Sequence, residues 1–385
     1  MQAVILAAGE GKRLRPLTKN RPKALIPVAN SPIIDYSIRA LVATGIRDII
    51  VVVGYRKEHV IRYLNRCEFP IQVVEQKNQL GTGDALKCAE PLVREDFLVL
   101  PGDNYIDAAS LAKIKGEKNA VLVQDHPYPS NFGVVITKKG EVTEIIEKPE
   151  HAPSFTVSTG IFSLSKDFFT VLKGTELTDA VNEMIARGGH LKAVSTGAWQ
   201  DAVYPWDLLA LNKKTVGGID PVKSGTIDRT AVIRGAVRIG RGTHIGPFAV
   251  VNGPAVIGEN AGIGPHCTIG PSVSIGNRVT VEPFTLLEDS LLMDDSSIGS
   301  HSRVVEAVIG EGSALMDHTT VTPGTPFMEI EGTVIRGRFG CIIGDQVRSE
   351  PHCIYQGAIV GNNTRIRGGK MITGLDAAQD GVVVV

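Results

Sequence analysis

From Ile227 onward an aliphatic residue recurs at every sixth position. Ile227, Ile233, Ile239, Ile245, Val251, Ile257, Ile263, Ile269, Ile275, Val281 and Leu287 keep this spacing without a slip. A period of six fits neither the 3.6 of an α-helix nor the simple alternation of a half-buried strand. It is the period of a parallel β-helix, in which each short strand sends one aliphatic side chain into a shared core. Glycine directly follows Ile239, Ile245, Ile257, Ile263, Ile269 and Ile275, where the chain must turn tightly between flat faces. The register breaks after Leu287. It resumes at Ile309, Leu315 and Val321, and again at Ile354, Val360, Ile366 and Ile372. About 25 of the 42 glycines lie beyond residue 218, as a turn-dense solenoid requires.

The chain before this point obeys other rules. Ala3–Ala8 reads as a buried strand. In "SPIIDYSIRALVATG", Pro32 takes a first helical position, Ile34, Ile38, Leu41 and Val42 share one face, and Gly45 ends the helix. Asp48–Gly54 is a continuous apolar strand, followed by "IQVVEQ", a helix from about Gly83 to Glu90, and "FLVLPGDN". Apolar strands alternating with helices predict a mostly parallel sheet covered on both faces. Ligands of such sheets bind beyond the carboxyl ends of the strands. With 385 residues the chain accommodates two domains. The expected boundary lies at Gly217-Gly218, giving domains 1–218 and 219–385.

At the end of the first strand the sequence turns to "GEGKRLRPLTKNRPKAL". Between Gly11 and Lys23 stand six basic residues and no acidic one. The formal net charge of the whole chain is -1, which gives no general attraction to nucleic acid or an anionic membrane. The positive charge is local and needs a local partner. The spacing of Gly9 and Gly11 is not the dinucleotide fingerprint, because Leu14 stands where a third glycine belongs, and it is not a Walker A loop. The ingredients for phosphate remain: glycine amides, arginine and lysine at a strand end. A solvated basic loop is the plain alternative; the glycines and the strand end favour phosphate. The five cysteines (Cys67, Cys88, Cys267, Cys341, Cys353) form no CxxC pair, so reduced, mainly buried thiols are expected. No basic leader precedes the short apolar run at the N-terminus, and the cytoplasm is the expected compartment.

"LAAGEGKRLRPLT" with "RPKALIPV" resembles the signature of the sugar-1-phosphate nucleotidyltransferases, the family of glucose-1-phosphate thymidylyl- and uridylyltransferases. "EQKNQLGTGDAL" resembles its nucleobase loop and "VLPGDN" its strand-end metal aspartate. "NFGVV", "IIEKP" and "STGIF" resemble its sugar-binding stretches. "AWQDAVYPWDLL" resembles the segment that brings a second metal ligand. The resemblance implies an α/β Rossmann-like nucleotidyltransferase domain followed by a left-handed parallel β-helix. It implies the reaction of a nucleoside triphosphate, UTP or dTTP, with glucose or N-acetylglucosamine 1-phosphate, giving a nucleotide sugar and pyrophosphate.

Carried over by motif position, Arg13 and Lys23 are the catalytic cations. Leu6, Ala8, Gly9, Gly11, Arg13, Gln76, Gly81, Thr82 and Asp103 meet the nucleotide. Gly133, Glu147, Lys148 and Thr159 meet the sugar phosphate. Asp103 and Asp201 hold Mg²⁺, a hard cation suited to carboxylate and phosphate oxygens. The sequence departs from the family pattern at "DAVYPW", which lacks a glycine, at Ser158 and at Asp84.

For the β-helix three expectations stand. It assembles the chain into a homo-oligomer, a trimer or a multiple of one. Alternatively it is an amino-sugar-1-phosphate acetyltransferase with His318 as base, although "PFMEIEGTVIRGRFG" lacks the asparagine and lysines that resemblance would require. A zinc site among His244, His266, His301 and His318 has the wrong spacing. A non-catalytic, exchange-factor-like assembly subunit is the reading from another class, against which the retained Arg13, Lys23, Asp103 and Asp201 speak.

Overall fold

The computed structural model describes residues 1–384. Two compact units divide the chain. One comprises residues 1–10, 21–25 and 32–201; the other comprises 11–20, 26–31 and 202–385.

The first unit is built on a nine-stranded sheet. In chain order its strands are β1 (Gln2–Ala7), β2 (Ile49–Val53), β3 (Gln72–Glu75), β4 (Phe97–Pro101), β6 (Ala120–Asp125), β7 (Gly133–Lys138), β8 (Glu141–Glu147), β9 (Thr156–Leu164) and β10 (Lys192–Ser195). The spatial order is β3-β2-β1-β4-β9-β6-β10-β8-β7. The first four strands run parallel, as their uninterrupted apolar sequences require. Beyond β4 the pairings are antiparallel, except that β6 and β10 are parallel. Helix α1 (Ile33–Ala43) follows Pro32 as expected and buries Ile34, Ile38 and Leu41. Helix α2 (Thr82–Ala89) lies where the sequence placed it. A short pair, β5 (Asn104–Ile106) with β11 (Trp199–Asp201), is antiparallel in the register Asn104↔Asp201.

The second unit is the expected parallel β-helix. Ile239, Ile245, Val251, Ile257, Ile263, Ile269, Ile275, Val281 and Leu287 are all buried within one core. Ile227 and Ile233 are partly buried at its end. The expected break after Leu287 is corrected by the strand pairings. Early coils are 18 residues long (Val237↔Ala255), later ones 17 (Leu287↔Val304). One residue is dropped before Leu292 and another before Ile309, so the core continues through Leu292, Ile298 and Val304 into Ile309. The second interruption is a real insertion. Phe327–Ile330 and Thr333–Arg336 form an antiparallel hairpin turned by Glu331 and Gly332, both at positive φ. One face of the β-helix is covered by helix α3 (Asp207–Val216). Val216 and Ala29 pack on Val256, and the buried Asn212 donates to Ser272 O at 2.9 Å while accepting from Ser274 Oγ at 2.8 Å. Of the C-terminal valine run, Val383–Val384 adds a strand beside Arg365–Ile366; Val385 lies outside the described residues.

All five cysteines are free thiols, and Cys267, Cys341 and Cys353 are buried. Among the described residues, no helix is long and apolar enough to cross a membrane.

Candidate active site

Strand β4 ends at Pro101, and the chain turns through Gly102, whose N–H donates to Leu6 O of the neighbouring β1 at 2.8 Å. Asp103 follows, next to Asn104 at the start of β5. Because Asn104 is paired with Asp201, the β5–β11 ribbon brings two carboxylates 98 positions apart in sequence to one place. Between them lies Lys23. Its ammonium is 2.7 Å from Asp103 Oδ2 and 3.2 Å from Asp201 Oδ1. The lysine side chain is only 14% exposed. Burial opposes its charge, but the two carboxylates outweigh burial and raise its pKa. Asn104 is fixed in turn, donating to Thr159 O at 3.1 Å.

Gln76 follows β3 and is buried. Its Nε2 donates to Asp84 Oδ2 at 2.7 Å and to Gly81 O at 3.1 Å. Both amide hydrogens are thereby engaged, which leaves the carbonyl oxygen as the remaining capacity of this side chain. Asp84, the departure from the family pattern, is what orients it. Gly81 has φ of 142°, and a Cβ there would run into Thr175 O and Glu176 Oε1. Thr82 is tied to the same segment: its hydroxyl accepts from Leu177 N at 3.1 Å and bonds Glu176 Oε2 at 3.2 Å.

Gly133 and Glu147 are register partners at the ends of β7 and β8. Glu147 pairs with Lys148 at 2.7 Å, both about half exposed. Thr159 is buried, and its hydroxyl donates to Leu122 O at 2.9 Å, so its side chain faces the sheet interior. Leu6 and Ala8 sit at the end of β1, and Ala8 O accepts from Tyr55 N at 2.9 Å. A Cβ on Gly9 would meet nothing; that backbone is open to an incoming group.

The remaining loop residues belong to the second unit. Gly11 adopts the left-handed conformation (φ 71°) and opens a single 3-10 turn over Lys12–Leu14. Thr18 Oγ1 donates to Gly11 O at 2.9 Å. Arg13, half exposed, has its Nε 3.4 Å from Glu331 Oε2 at the hairpin tip. The glycine-free "DAVYPW" turn is held by Asp207, whose Oδ2 accepts from Val203 N at 2.9 Å and Tyr204 N at 2.8 Å.

Sequence reading missed His126. Its ring meets Phe132 edge-on at 4.7 Å and Trp199 at 6.4 Å, beside β11. Burial lowers its pKa, against smaller opposing effects of the Tyr128 N–H, which donates to its Nδ1, and of Asp201. The aromatic run "DHPYPSNF" after a strand end was the available signal. The β-helix histidines do not converge: His266, His301, His318 and His352 stand in one stacked row with Phe248 and Phe284, ring centroids 4.6–5.3 Å apart. Among the described residues, no three His, Cys, Asp or Glu side chains gather in a metal-binding group.

The family model described as Nucleotidyl transferase matches residues 2–216, more than half of the chain. The chain belongs to the nucleotidyl transferase family. Its members most similar here include sugar-1-phosphate enzymes. The family is generally dependent on a divalent metal. A second model, described as GMPPB C-terminal domain, matches residues 251–372. "Bifunctional protein GlmU" of Methanococcus maripaludis is 37% identical over 257 residues, 64% of this chain and 62% of that protein. The chain thus spans less than two thirds of the length of such relatives. "UTP--glucose-1-phosphate uridylyltransferase AglF" of Haloferax volcanii is 36% identical over 54% of this chain and 93% of its own length. A solved putative glucose-1-phosphate thymidylyltransferase from Bacillus anthracis superposes with a TM-score of 0.52 at 27% identity, covering 58% of this chain and 98% of that one. As a member of that family, the chain carries the matched domain with a β-helix attached.

Proposed function

We propose that this protein is a sugar-1-phosphate nucleotidylyltransferase. An oxygen of the sugar 1-phosphate attacks the α-phosphorus of UTP or dTTP, the bond to the β-phosphate breaks, and pyrophosphate leaves. The observation that carries this reading is the Lys23 ammonium bridging Asp103 and Asp201 at the carboxyl end of β4. Two anions must meet, so the barrier is one of charge and alignment.

Lys23 offers a fixed cation to the phosphates at the junction of the two substrates, and Arg13 offers a second to the triphosphate. Backbone amides of Gly9 and Gly11, with Leu6 and Ala8 at the strand end, contact the nucleotide. Asp103 and Asp201 fit Mg²⁺: both reach one cation already, and magnesium binds through one or two carboxylates with phosphate and water completing its shell. When bound, it supplies charge that neutralises the phosphate oxygens. Gln76, with its amide hydrogens held by Asp84 and Gly81, presents an acceptor. That suits the N3–H of uracil or thymine and mismatches the N3 lone pair of cytosine. Gly133, Glu147, Lys148 and Thr159 meet the sugar phosphate, Thr159 through its backbone because its hydroxyl is given to Leu122 O.

Residues 1–218 act as the nucleotidyltransferase and 219–385 as an assembly module, making a homo-oligomer in the cytoplasm. Neither nucleic acid nor membrane is a partner. The names of some relatives suggest acetyl transfer in the β-helix. His318 would be its base, but its ring is sandwiched between His301 and His352, which favours a structural role. The deciding experiment is pyrophosphate release from four nucleoside triphosphates, each with glucose, N-acetylglucosamine or glucosamine 1-phosphate. Release confined to UTP or dTTP supports the reading; no release with any pair refutes it.

A further inference from the structure

The corners of the β-helix carry a ladder of Asn and Asp side chains. Each uses one oxygen to accept the backbone N–H of the coil before it. Asn277 accepts from Glu259 N at 2.8 Å and Asp294 from Asn277 N at 2.9 Å. Asp345 accepts from Glu311 N at 2.9 Å, Asn362 from Asp345 N at 2.6 Å and Asp380 from Asn362 N at 2.8 Å. These bonds hold coil to coil and leave each residue one further polar atom.

Early in the ladder that spare atom stays within it: Asn277 Nδ2 donates to Asp294 Oδ2 at 3.0 Å. In the last three rungs it leaves the β-helix for the basic segment Gly11–Asn20. Asp345 Oδ2 accepts from Asn20 Nδ2 at 3.1 Å. Asn362 Nδ2 donates to Pro16 O at 3.1 Å. Asp380 Oδ2 accepts from Lys19 Nζ at 2.8 Å. Asn362 and Asp345 are nearly inaccessible, at 1% and 3% exposure. Three successive rungs therefore grip Pro16, Lys19 and Asn20 of one loop, although the partners lie 325 to 361 positions apart in sequence.

We infer that Asp345, Asn362 and Asp380 are positioning residues for nucleotidyl transfer: the β-helix holds the loop that bears Arg13 in its triphosphate-binding shape. This rests on the function proposed above, which gives Arg13 to the triphosphate. None of the three touches substrate. They remove the freedom of a glycine-containing loop before the ligand arrives, so that ordering it is not deducted from binding.

The test compares two identical substitutions in the full-length chain. Asn362→Asp keeps the oxygen that accepts from Asp345 N but replaces the donor to Pro16 O with a carboxylate. Asn277→Asp makes the same change on a rung that does not touch the loop. Asn362→Asp is expected to speed amide hydrogen exchange in residues 11–20 by about tenfold and to raise KM for UTP or dTTP about tenfold, the loss of one bond to a buried group. KM for the sugar 1-phosphate is expected to stay unchanged. Asn277→Asp should do neither, even where its melting temperature falls as far. Lys19→Met, which leaves the β-helix intact, should move exchange and KM in the same direction by about threefold.

Unchanged exchange in Asn362→Asp and Lys19→Met overturns the inference, as does an equal effect of Asn277→Asp. Faster exchange with an unchanged triphosphate KM overturns the positioning role. If the wild type turns over no triphosphate, the proposed function fails separately, and the exchange measurement still decides whether the β-helix holds the loop.

Discussion

Replacing Lys23 by methionine tests the centre of the site most directly. The lysine is the shared cation of Asp103 and Asp201. Methionine preserves much of the stem's volume and removes the charge. The two oxygens that Lys23 contacts lie within about 6 Å of each other, and at an effective dielectric of about 20 two like charges at that distance repel by about 3 kcal/mol. The carboxylates are 30% and 20% exposed, so salt and water halve this to about 1.5 kcal/mol. That repulsion is present in both proteins; the variant loses the attraction that offsets it, and removing the shared partner of such a cluster is expected to cost about 3 kcal/mol. For domains of this size that lowers Tm by about 6–12 °C. The pKa of Lys23 is raised in the fold, so its stabilisation is complete below the unfolded value near 10.4 and is lost as pH rises from there through the folded one. The difference between wild type and variant should therefore be constant from about pH 6 to 9. Mg²⁺ should recover part of the loss in the variant, because it meets a pair of carboxylates with no resident cation, and should raise the wild-type Tm less. Scanning calorimetry with and without Mg²⁺ reads all three. A variant within about 1 °C of wild type and indifferent to Mg²⁺ would refute the picture of a charge-balanced cluster.

Asp103→Asn is expected to lower turnover by about 10²–10⁴ with little change in fold, measured as pyrophosphate release; near-wild-type activity removes its metal role. Arg13→Ala should abolish synthesis while circular dichroism still reports the β-helix, and unchanged kinetics would make the loop an ordinary solvated one. Gly81→Ala places a methyl against Thr175 O and Glu176 Oε1 and should raise KM for the nucleotide about tenfold or more through a displaced nucleobase loop, while an unchanged KM would dissociate that loop from the base.

The hexad spacing made the β-helix legible because each inward residue is set by the coil it belongs to, a local property of the chain. The same spacing misled at Leu287. A coil shortened by one residue looks like a broken repeat when counted in sixes, yet Leu292 takes the next core place. The parallel half of the first sheet was equally readable, since β1, β2 and β4 are buried on both faces and show it in composition. The site was readable as motifs but not as contacts. Lys23 and Asp201 are 178 positions apart, and no spacing rule foretells that one ammonium spans both aspartates. Nor did "PFMEIEGTVIRGRFG" show that it folds into a hairpin whose tip carboxylate meets Arg13. Thr159 illustrates the opposite failure: its motif position points to substrate, while its hydroxyl is spent on Leu122 O.

The β-helix fastens its own N-terminal segments at two heights. Asn30 donates to Ile275 O and Asn212 to Ser272 O, whereas Pro16, Lys19 and Asn20 are held at the rungs of Asn362, Asp380 and Asp345. The number of coils between these levels is consequently a ruler. Solenoids usually tolerate the gain or loss of whole repeats, because each repeat meets only its neighbours. Here a coil removed near the N-terminal end of the solenoid changes only length, but one removed between Ile275 and Asp345 shifts one mooring against the other by about 5 Å. The stretch from residue 20 to residue 30 would have to absorb that step, so the middle coils are fixed in number by a part of the chain that lies outside the repeat.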